Sequence, residues 1–180
     1  HRDLHSFPTR RSSDLDLDGD LIPDYTVSSA SLAVADLDGD GVAEIVAYGA
    51  DGSTMAFKKS GSTWGLLWKA PRPIGALWNP CNPANNRCDL GWAGPSIHDL
   101  DDDGVPEVIR EGVVFSATGT LLSLQPGNYA SYASGLFPVL ANLDGDAQVE
   151  FTNGRFVWEW SGGAWVQDPD RKSTRLNSSH

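Results

Sequence analysis

The most constraining feature of this sequence is a nine-residue acidic segment. Acidic side chains stand at its positions 1, 3, 5 and 9, namely Asp36, Asp38, Asp40 and Glu44. Gly41 at position 6 permits a sharp turn, and Val42 at position 7 offers a backbone carbonyl. Ca²⁺ takes roughly six to eight oxygen ligands at about 2.3–2.6 Å. The spacing therefore predicts a calcium cage.

The same spacing recurs along the chain, which indicates a repeat architecture. A second complete copy consists of Asp99, Asp101, Asp103, Val105 and Glu107, with Gly104 at the turn. A degraded copy has Ala147 in place of the glycine and offers Asn142, Asp144, Asp146, Gln148 and Glu150. Another degraded copy has Leu21 at that position and offers Asp16, Asp18, Asp20, Ile22 and Asp24. We expect Ca²⁺ to be held by these residues.

An EF-hand is the first alternative, because it shares the early acids and the central glycine. It also needs a bidentate Glu at position 12, between two helices. Position 12 is held here by Val27, Ala47, Arg110 and Asn153. The segments 32–35 and 45–48 that flank the first complete loop are short and β-favouring. The loops are therefore expected to join strands.

The phrase VADLDGDGVAEIVAYG at residues 34–49 resembles the FG-GAP, or VCBS, repeats of β-propellers, including those of the integrin α-subunit head. The resemblance extends over most of residues 16–167. It implies Ca²⁺ at the loops and one four-stranded blade per repeat. The expected fold is all-β: an incomplete β-propeller arc of about three four-stranded antiparallel blades, with a calcium loop between the first and second strands of each.

The repeat spacing divides the chain into blades. The predicted units are a partial blade at 16–31, a blade at 32–70, a Cys-containing insertion at 71–93, a blade with a linker at 94–135 and a blade at 136–169. Closed propellers have roughly four to eight blades. We therefore expect this chain to form an arc of a larger ring and to pack against the remaining blades of that ring.

The two ends differ in composition from the rest of the chain. Residues 1–15 and 170–180 resemble the conceptual translation of a sequencing-adapter oligonucleotide. They are expected to be non-native tails and are excluded from fold reasoning. Natural disordered tails are the alternative.

The charge of the remaining chain excludes two partner classes. The tails hold 6 of the 13 Lys and Arg residues and 3 of the 24 Asp and Glu residues, which leaves 7 against 21, a net charge of −14 over residues 16–169. Nucleic acids and anionic membranes need basic patches, so neither is an expected partner. No apolar stretch reaches the ~18 residues of a membrane span.

Two cysteines, Cys81 and Cys88, lie in a segment of turn-forming residues. A disulfide between them is the favoured interpretation. A zinc site with His98 and free thiols are the alternatives. A disulfide would place the protein in a secreted or cell-surface setting, where millimolar calcium suits weak loops.

Catalytic signals are weak, because calcium accounts for the carboxylates and His98 has no positioned partner. Trp64 and four other tryptophans in predicted strands are expected to pack between blades, whereas Trp78 and Trp92 flank the cysteine segment and are expected at the surface. The favoured function is a non-catalytic calcium-stabilised module that binds an extracellular protein or polysaccharide. The alternative is the scaffold of an extracellular enzyme, of polysaccharide lyase or phospholipase type, with catalytic residues elsewhere.

Overall fold

The computed structural model describes residues 31–78, 94–126, 139–146, 148–152 and 156–168. Within these ranges the chain forms twelve β-strands and no helix. The strands build three antiparallel sheets of four strands each, and no barrel closes among them. The prediction of an all-β arc of four-stranded blades is confirmed.

Each sheet is a meander whose strands lie side by side in chain order. The first sheet contains β1 (Ala33–Ala35), β2 (Glu44–Tyr48), β3 (Thr54–Ser60) and β4 (Thr63–Ala70). The second contains β5 (Ser96–His98), β6 (Glu107–Arg110), β7 (Val113–Phe115) and β8 (Leu121–Ser123). The third contains β9 (Val139–Ala141), β10 (Glu150–Thr152), β11 (Val157–Ser161) and β12 (Ala164–Gln167).

The middle sheet is covered on both faces. All residues of β6 and β7 are buried. Val108 and Val113 belong to a core shared with the first sheet, whereas Ile109 and Val114 belong to a core shared with the third. Successive strand side chains point to opposite faces, so a strand buried on both sides needs a continuous apolar run. The sequence Val108-Ile109 meets that need.

Aromatic side chains fill the core between the second and third sheets. The Phe151 ring centroid lies 5.1 Å from those of Trp158 and Trp165, and the Trp160 and Trp165 centroids are 5.0 Å apart. Offset and edge-to-face pairs of this kind add about 0.5–1.5 kcal/mol each beyond area burial. The third sheet therefore presents a cluster of packed rings to the core that it shares with Ile109 and Val114 of the second sheet.

Two expectations about tryptophan were wrong. Trp78 is only 3% exposed, because its ring stacks on Arg110 and its Nε1 donates to the Gly52 carbonyl at 3.1 Å. Trp64 is 49% exposed, because it lies near the exposed start of β4. Their positions depend on packing between sheets, which local spacing does not report.

The described residues contain no helix long and apolar enough to cross a membrane.

Candidate metal centre

The acidic loops occupy equivalent places in the three sheets. Each joins the first strand to the second, and its final glutamate is the first residue of that second strand: Glu44, Glu107 and Glu150. In a meander, every first-to-second connection lies at the same edge of its sheet. We call this the acidic edge, made by residues 36–44, 99–107 and 142–150.

In the loop 36–44, Asp36 organises the backbone. Its Oδ1 accepts hydrogen bonds from the N–H groups of Gly39 at 2.8 Å and Asp40 at 3.1 Å, and its Oδ2 accepts one from Gly41 at 2.8 Å. The Oδ1 of Asp40 accepts a further bond from the N–H of Val42 at 2.8 Å. These bonds fix the turn of the loop around the carboxylates of Asp36 and Asp40.

Glu44 closes the loop from the protein side and is fully buried. Its Oε2 accepts a hydrogen bond from the Leu37 N–H at 2.8 Å. Within the described part of the chain, its Oε1 is buried with no hydrogen-bond partner. A buried carboxylate oxygen without a partner is unfavourable. A bound cation would satisfy it, so this residue fits a metal site.

The loop 99–107 repeats the same geometry. Its corresponding bonds are Gly104 N–H to Asp99 Oδ2 at 2.8 Å, Val105 N–H to Asp103 Oδ1 at 2.8 Å and Leu100 N–H to Glu107 Oε2 at 2.9 Å. Two loops far apart in sequence therefore adopt one hydrogen-bonding scheme. The two loops have nearly the same sequence, DLDGDGVAE and DLDDDGVPE, so a common local conformation is expected.

Position 4 of each loop is a constraint that the sequence analysis missed. Gly39 has φ of 75° and Asp102 has φ of 58°, which places both in the left-handed region. Glycine adopts this region freely, and Asp is among the few other residues that tolerate it. The Gly or Asp at position 4 was the available signal, but only the glycine at position 6 was read as a turn.

The loop 142–150 keeps part of the scheme. The Leu143 N–H donates to Glu150 Oε2, the Gly145 N–H donates to Asn142 Oδ1, and the Gln148 N–H donates to Asp146 Oδ1 at 2.9 Å. Asn142 offers one amide oxygen where the complete loops offer two carboxylate oxygens. The third loop therefore has a weaker set of donors for a cation.

The structure brings three groups of acidic side chains within metal-binding reach, each with ligand atoms within 4.8 Å of one another. They are Asp36, Asp38 and Asp40; Asp99, Asp101 and Glu107; and Asp144, Asp146 and Glu150. Val42 and Val105 expose their side chains, which leaves the backbone as the contribution expected from position 7. The loop at 16–24, its flanking sequence, Trp92 and the pair Cys81 and Cys88 lie outside the described residues.

Lys58 is a second feature that the sequence analysis did not find. Its Nζ contacts Asp38 Oδ2 and lies 2.7 Å from Asp40 Oδ2. The hydrogen bond from Lys58 lowers the pKa of Asp40, and both aspartates raise the pKa of the Lys58 ammonium. Lys58 lies at the loop end of β3, where it is far from the loop in sequence but next to it in the sheet.

The surroundings of Glu107 disfavour its ionised form. Burial raises the pKa of Glu107, and the charges of Asp101, Asp103 and Asp99 raise it further, against a lowering by the Leu100 N–H bond. A divalent cation among these carboxylates would favour their ionised form. The donor set is entirely oxygen, as Ca²⁺ prefers.

A groove of about 570 Å³ separates the two complete loops. Asp36 and Asp38 line one side, Gly104 and Val105 line the other, and Trp68 lies between them. The Trp68 Nε1 donates to the Ala117 carbonyl at 2.8 Å, so the ring is fixed between the first two sheets. The two loops therefore share one surface.

The fold and the acidic edge define a class of protein: an incomplete arc of β-propeller blades with acidic loops between the first two strands. Residues 29–65 match the family model of the FG-GAP repeat, a stretch that includes β1 to β3 and the start of β4. The resemblance expected from the sequence is confirmed there. Neither the curated proteins nor the solved structures contained a match to the chain.

Proposed function

We propose that this chain is a calcium-binding FG-GAP propeller segment whose ions are held by the loops 36–44 and 99–107. One observation carries the proposal: in both loops the same backbone bond to the first aspartate fixes the turn, and three carboxylates come within 4.8 Å of one another. The orphaned buried Oε1 of Glu44 supports it independently. The role of the ion is structural, since it would neutralise acids that otherwise repel one another.

The roles of the individual ligands follow from their positions. Asp36, Asp38 and Asp40 would supply carboxylate oxygens in the first loop, with the Val42 carbonyl and Glu44 completing the set. In the second loop the same roles would fall to Asp99, Asp101, Asp103, Val105 and Glu107. A bound Ca²⁺ would tie the start of β2 or β6 to the strand before it, because the ligands come from both ends of each loop.

Calcium titration calorimetry on the full chain tests the proposal. Asp38→Ala and Asp101→Ala should each reduce the binding, and the double variant should remove the tighter binding. Sites of this kind bind at about 10⁻⁴–10⁻³ M in extracellular modules. Unchanged binding in the double variant would refute the assignment of both loops.

A matched pair of variants separates ligand loss from charge loss. Asp101→Asn and Asp102→Asn remove the same charge from neighbouring positions, and asparagine tolerates the left-handed backbone of position 102. Asp102 is exposed and lies outside the carboxylate group of the second loop. We expect a clear loss of affinity for Asp101→Asn and a small one for Asp102→Asn.

The degraded loops at 16–24 and 142–150 are proposed to bind calcium more weakly than the two complete loops. In the third loop the reason is the single amide oxygen of Asn142. The proposed ligands in the loop 142–150 are Asn142, Asp144, Asp146, Gln148 and Glu150. Those in the loop 16–24 are Asp16, Asp18, Asp20, Ile22 and Asp24. Calorimetry should report fewer than four equivalent sites.

We also propose a non-catalytic role in a secreted or cell-surface protein, with binding of an extracellular protein or polysaccharide. FG-GAP repeats typically form propeller segments without catalytic residues, and they occur in extracellular and surface proteins. A disulfide between Cys81 and Cys88 remains part of the proposal. Resistance of both thiols to alkylation before reduction would test it.

A further inference from the structure

We propose that Lys58 is a built-in competitor for calcium at the loop 36–44, an inference that rests on the proposed function. In the metal-free protein its ammonium group neutralises Asp38 and Asp40, two of the proposed ligands. Calcium must displace that ammonium to bind both carboxylates. The first complete loop is therefore the weaker of the two complete loops, although its sequence matches the calcium pattern fully.

The contacts of Lys58 place its charge within the cage. Nζ contacts Asp38 Oδ2 and lies 2.7 Å from Asp40 Oδ2. These two aspartates and Asp36 form the group of side chains that come within 4.8 Å of one another in this loop. A divalent ion at the same carboxylates would meet a positive charge within a few ångströms, where like charges repel strongly.

Strand register explains why Lys58 reaches the loop. Ile45 pairs with Phe57 across β2 and β3, so Lys58 lies next to Glu44, the last residue of the loop. The neighbouring Lys59 pairs with Trp64 and is exposed. Successive residues of a strand point to opposite faces, so Lys59 is a natural control.

The other sheets carry different residues at the position of Lys58. In the second sheet Val108 pairs with Phe115, which puts Ser116 at the corresponding place. Within the described residues, no lysine or arginine forms an ion pair with the loop 99–107. In the third sheet Glu150 pairs with Glu159. The residue at this place, on the third strand or directly after it, is thus cationic, neutral or acidic, so its effect on calcium affinity would differ between the loops.

Calorimetric titration with CaCl₂ tests the inference in the full chain with Asp101→Ala, which silences the second loop. Lys58→Gln should raise the affinity of the first loop by about three- to tenfold, as expected from two partly exposed ion pairs. Lys59→Gln changes the net charge equally and should leave the affinity within about twofold. Lys58→Arg keeps the cation and should also leave the affinity low.

The outcomes separate the inference from the proposed function. Absence of calcium binding in the parent chain and in every variant would overturn the proposed function. Binding that Asp38→Ala removes but Lys58→Gln leaves unchanged or weakens would overturn the inference alone.

Acylation of lysines in the unmodified chain gives a second test that needs no variant. Calcium should release the Lys58 ammonium and increase its labelling by an N-hydroxysuccinimide ester at least twofold, measured by mass spectrometry. Labelling of Lys59 should stay constant. Equal labelling of Lys58 with and without saturating calcium would overturn the inference.

Discussion

The guanidinium carbon of Arg110 lies 3.9 Å from the centroid of the Tyr48 ring, which joins the second sheet to the first. Trp78 stacks on the guanidinium at 4.3 Å. The Nη1 of Arg110 donates to the carbonyls of Gly52 at 2.9 Å and Ser53 at 2.6 Å. Burial lowers the pKa of Arg110 to about 10, which keeps it charged at neutral pH. Arg110 is thus a buried cation that connects two blades.

Replacing Arg110 by Met should destabilise the chain by about 2–4 kcal/mol, because the variant loses charged hydrogen bonds and two cation–π contacts. The stability of the Arg110→Lys variant should lie between those of the parent and the Met variant, since an ammonium can donate to the carbonyls but cannot stack as a plane. Urea unfolding followed by tryptophan fluorescence measures both. A Met variant as stable as the parent would mean that desolvation of the guanidinium cancels its contacts.

Gly119 allows the second sheet to approach Trp68 of the first. It has φ of 81°, and a Cβ there would lie 2.7 Å from the Trp68 ring. Gly163 has the same φ of 81° but would meet nothing within 4 Å. Gly163→Ala should therefore lose about 1–2 kcal/mol from backbone strain alone. Gly119→Ala should lose about 1–3 kcal/mol more from overpacking.

Comparing the free energies of urea unfolding of the two alanine variants isolates the cost of overpacking against the Trp68 ring. Equal losses would show that the sheets move apart at no cost and that Trp68 does not set their spacing. A larger loss for Gly163→Ala would contradict the assigned steric role of Gly119.

Removal of the Glu44 charge should affect the metal-free and calcium-bound forms in opposite directions. Glu44→Gln keeps an acceptor for the Leu37 N–H and removes one of the clustered negative charges, so the metal-free form should unfold at the same or a higher temperature. The rise on adding millimolar calcium, worth on the order of 1 kcal/mol per site, should shrink. Differential scanning calorimetry with calcium and with EGTA measures both changes. Asp102→Asn is the charge-matched control, and its calcium response should be retained.

The buried Glu111, in the turn between β6 and β7, should make the stability of the fold depend on pH. It is 3% exposed, and burial raises its pKa to about 7, although Arg110 lowers it. The folded state thus binds a proton more tightly than the unfolded state, whose pKa is near 4.5. This group favours folding at low pH, and its contribution falls as the pH rises from about 4.5 to 7.

Glu111→Gln should therefore stabilise the chain more at pH 8 than at pH 5, by up to about 3 kcal/mol. Thermal unfolding of parent and variant at both pH values, without calcium, gives the difference. An equal effect at the two pH values would mean that Glu111 does not carry this proton.

The calcium pattern is local, and the sequence alone therefore determined it. Asp36 and Glu44 are close enough in the chain that spacing fixes which side chains converge, and the same pattern in 99–107 reveals the repeat. The short β-favouring run Ile45-Val46-Ala47-Tyr48 likewise predicts a strand directly after the first complete loop.

Contacts between distant segments were decided only by the tertiary structure. Lys58 reaches Asp38 across 20 residues because β2 and β3 pair in one particular register. Arg110 reaches Gly52 across 58 residues because two sheets pack face to face. No spacing rule links such positions, since their separation depends on loop lengths and on sheet packing. The sequence specifies the spacing of the acidic side chains, and strand register determines that Lys58 lies beside them.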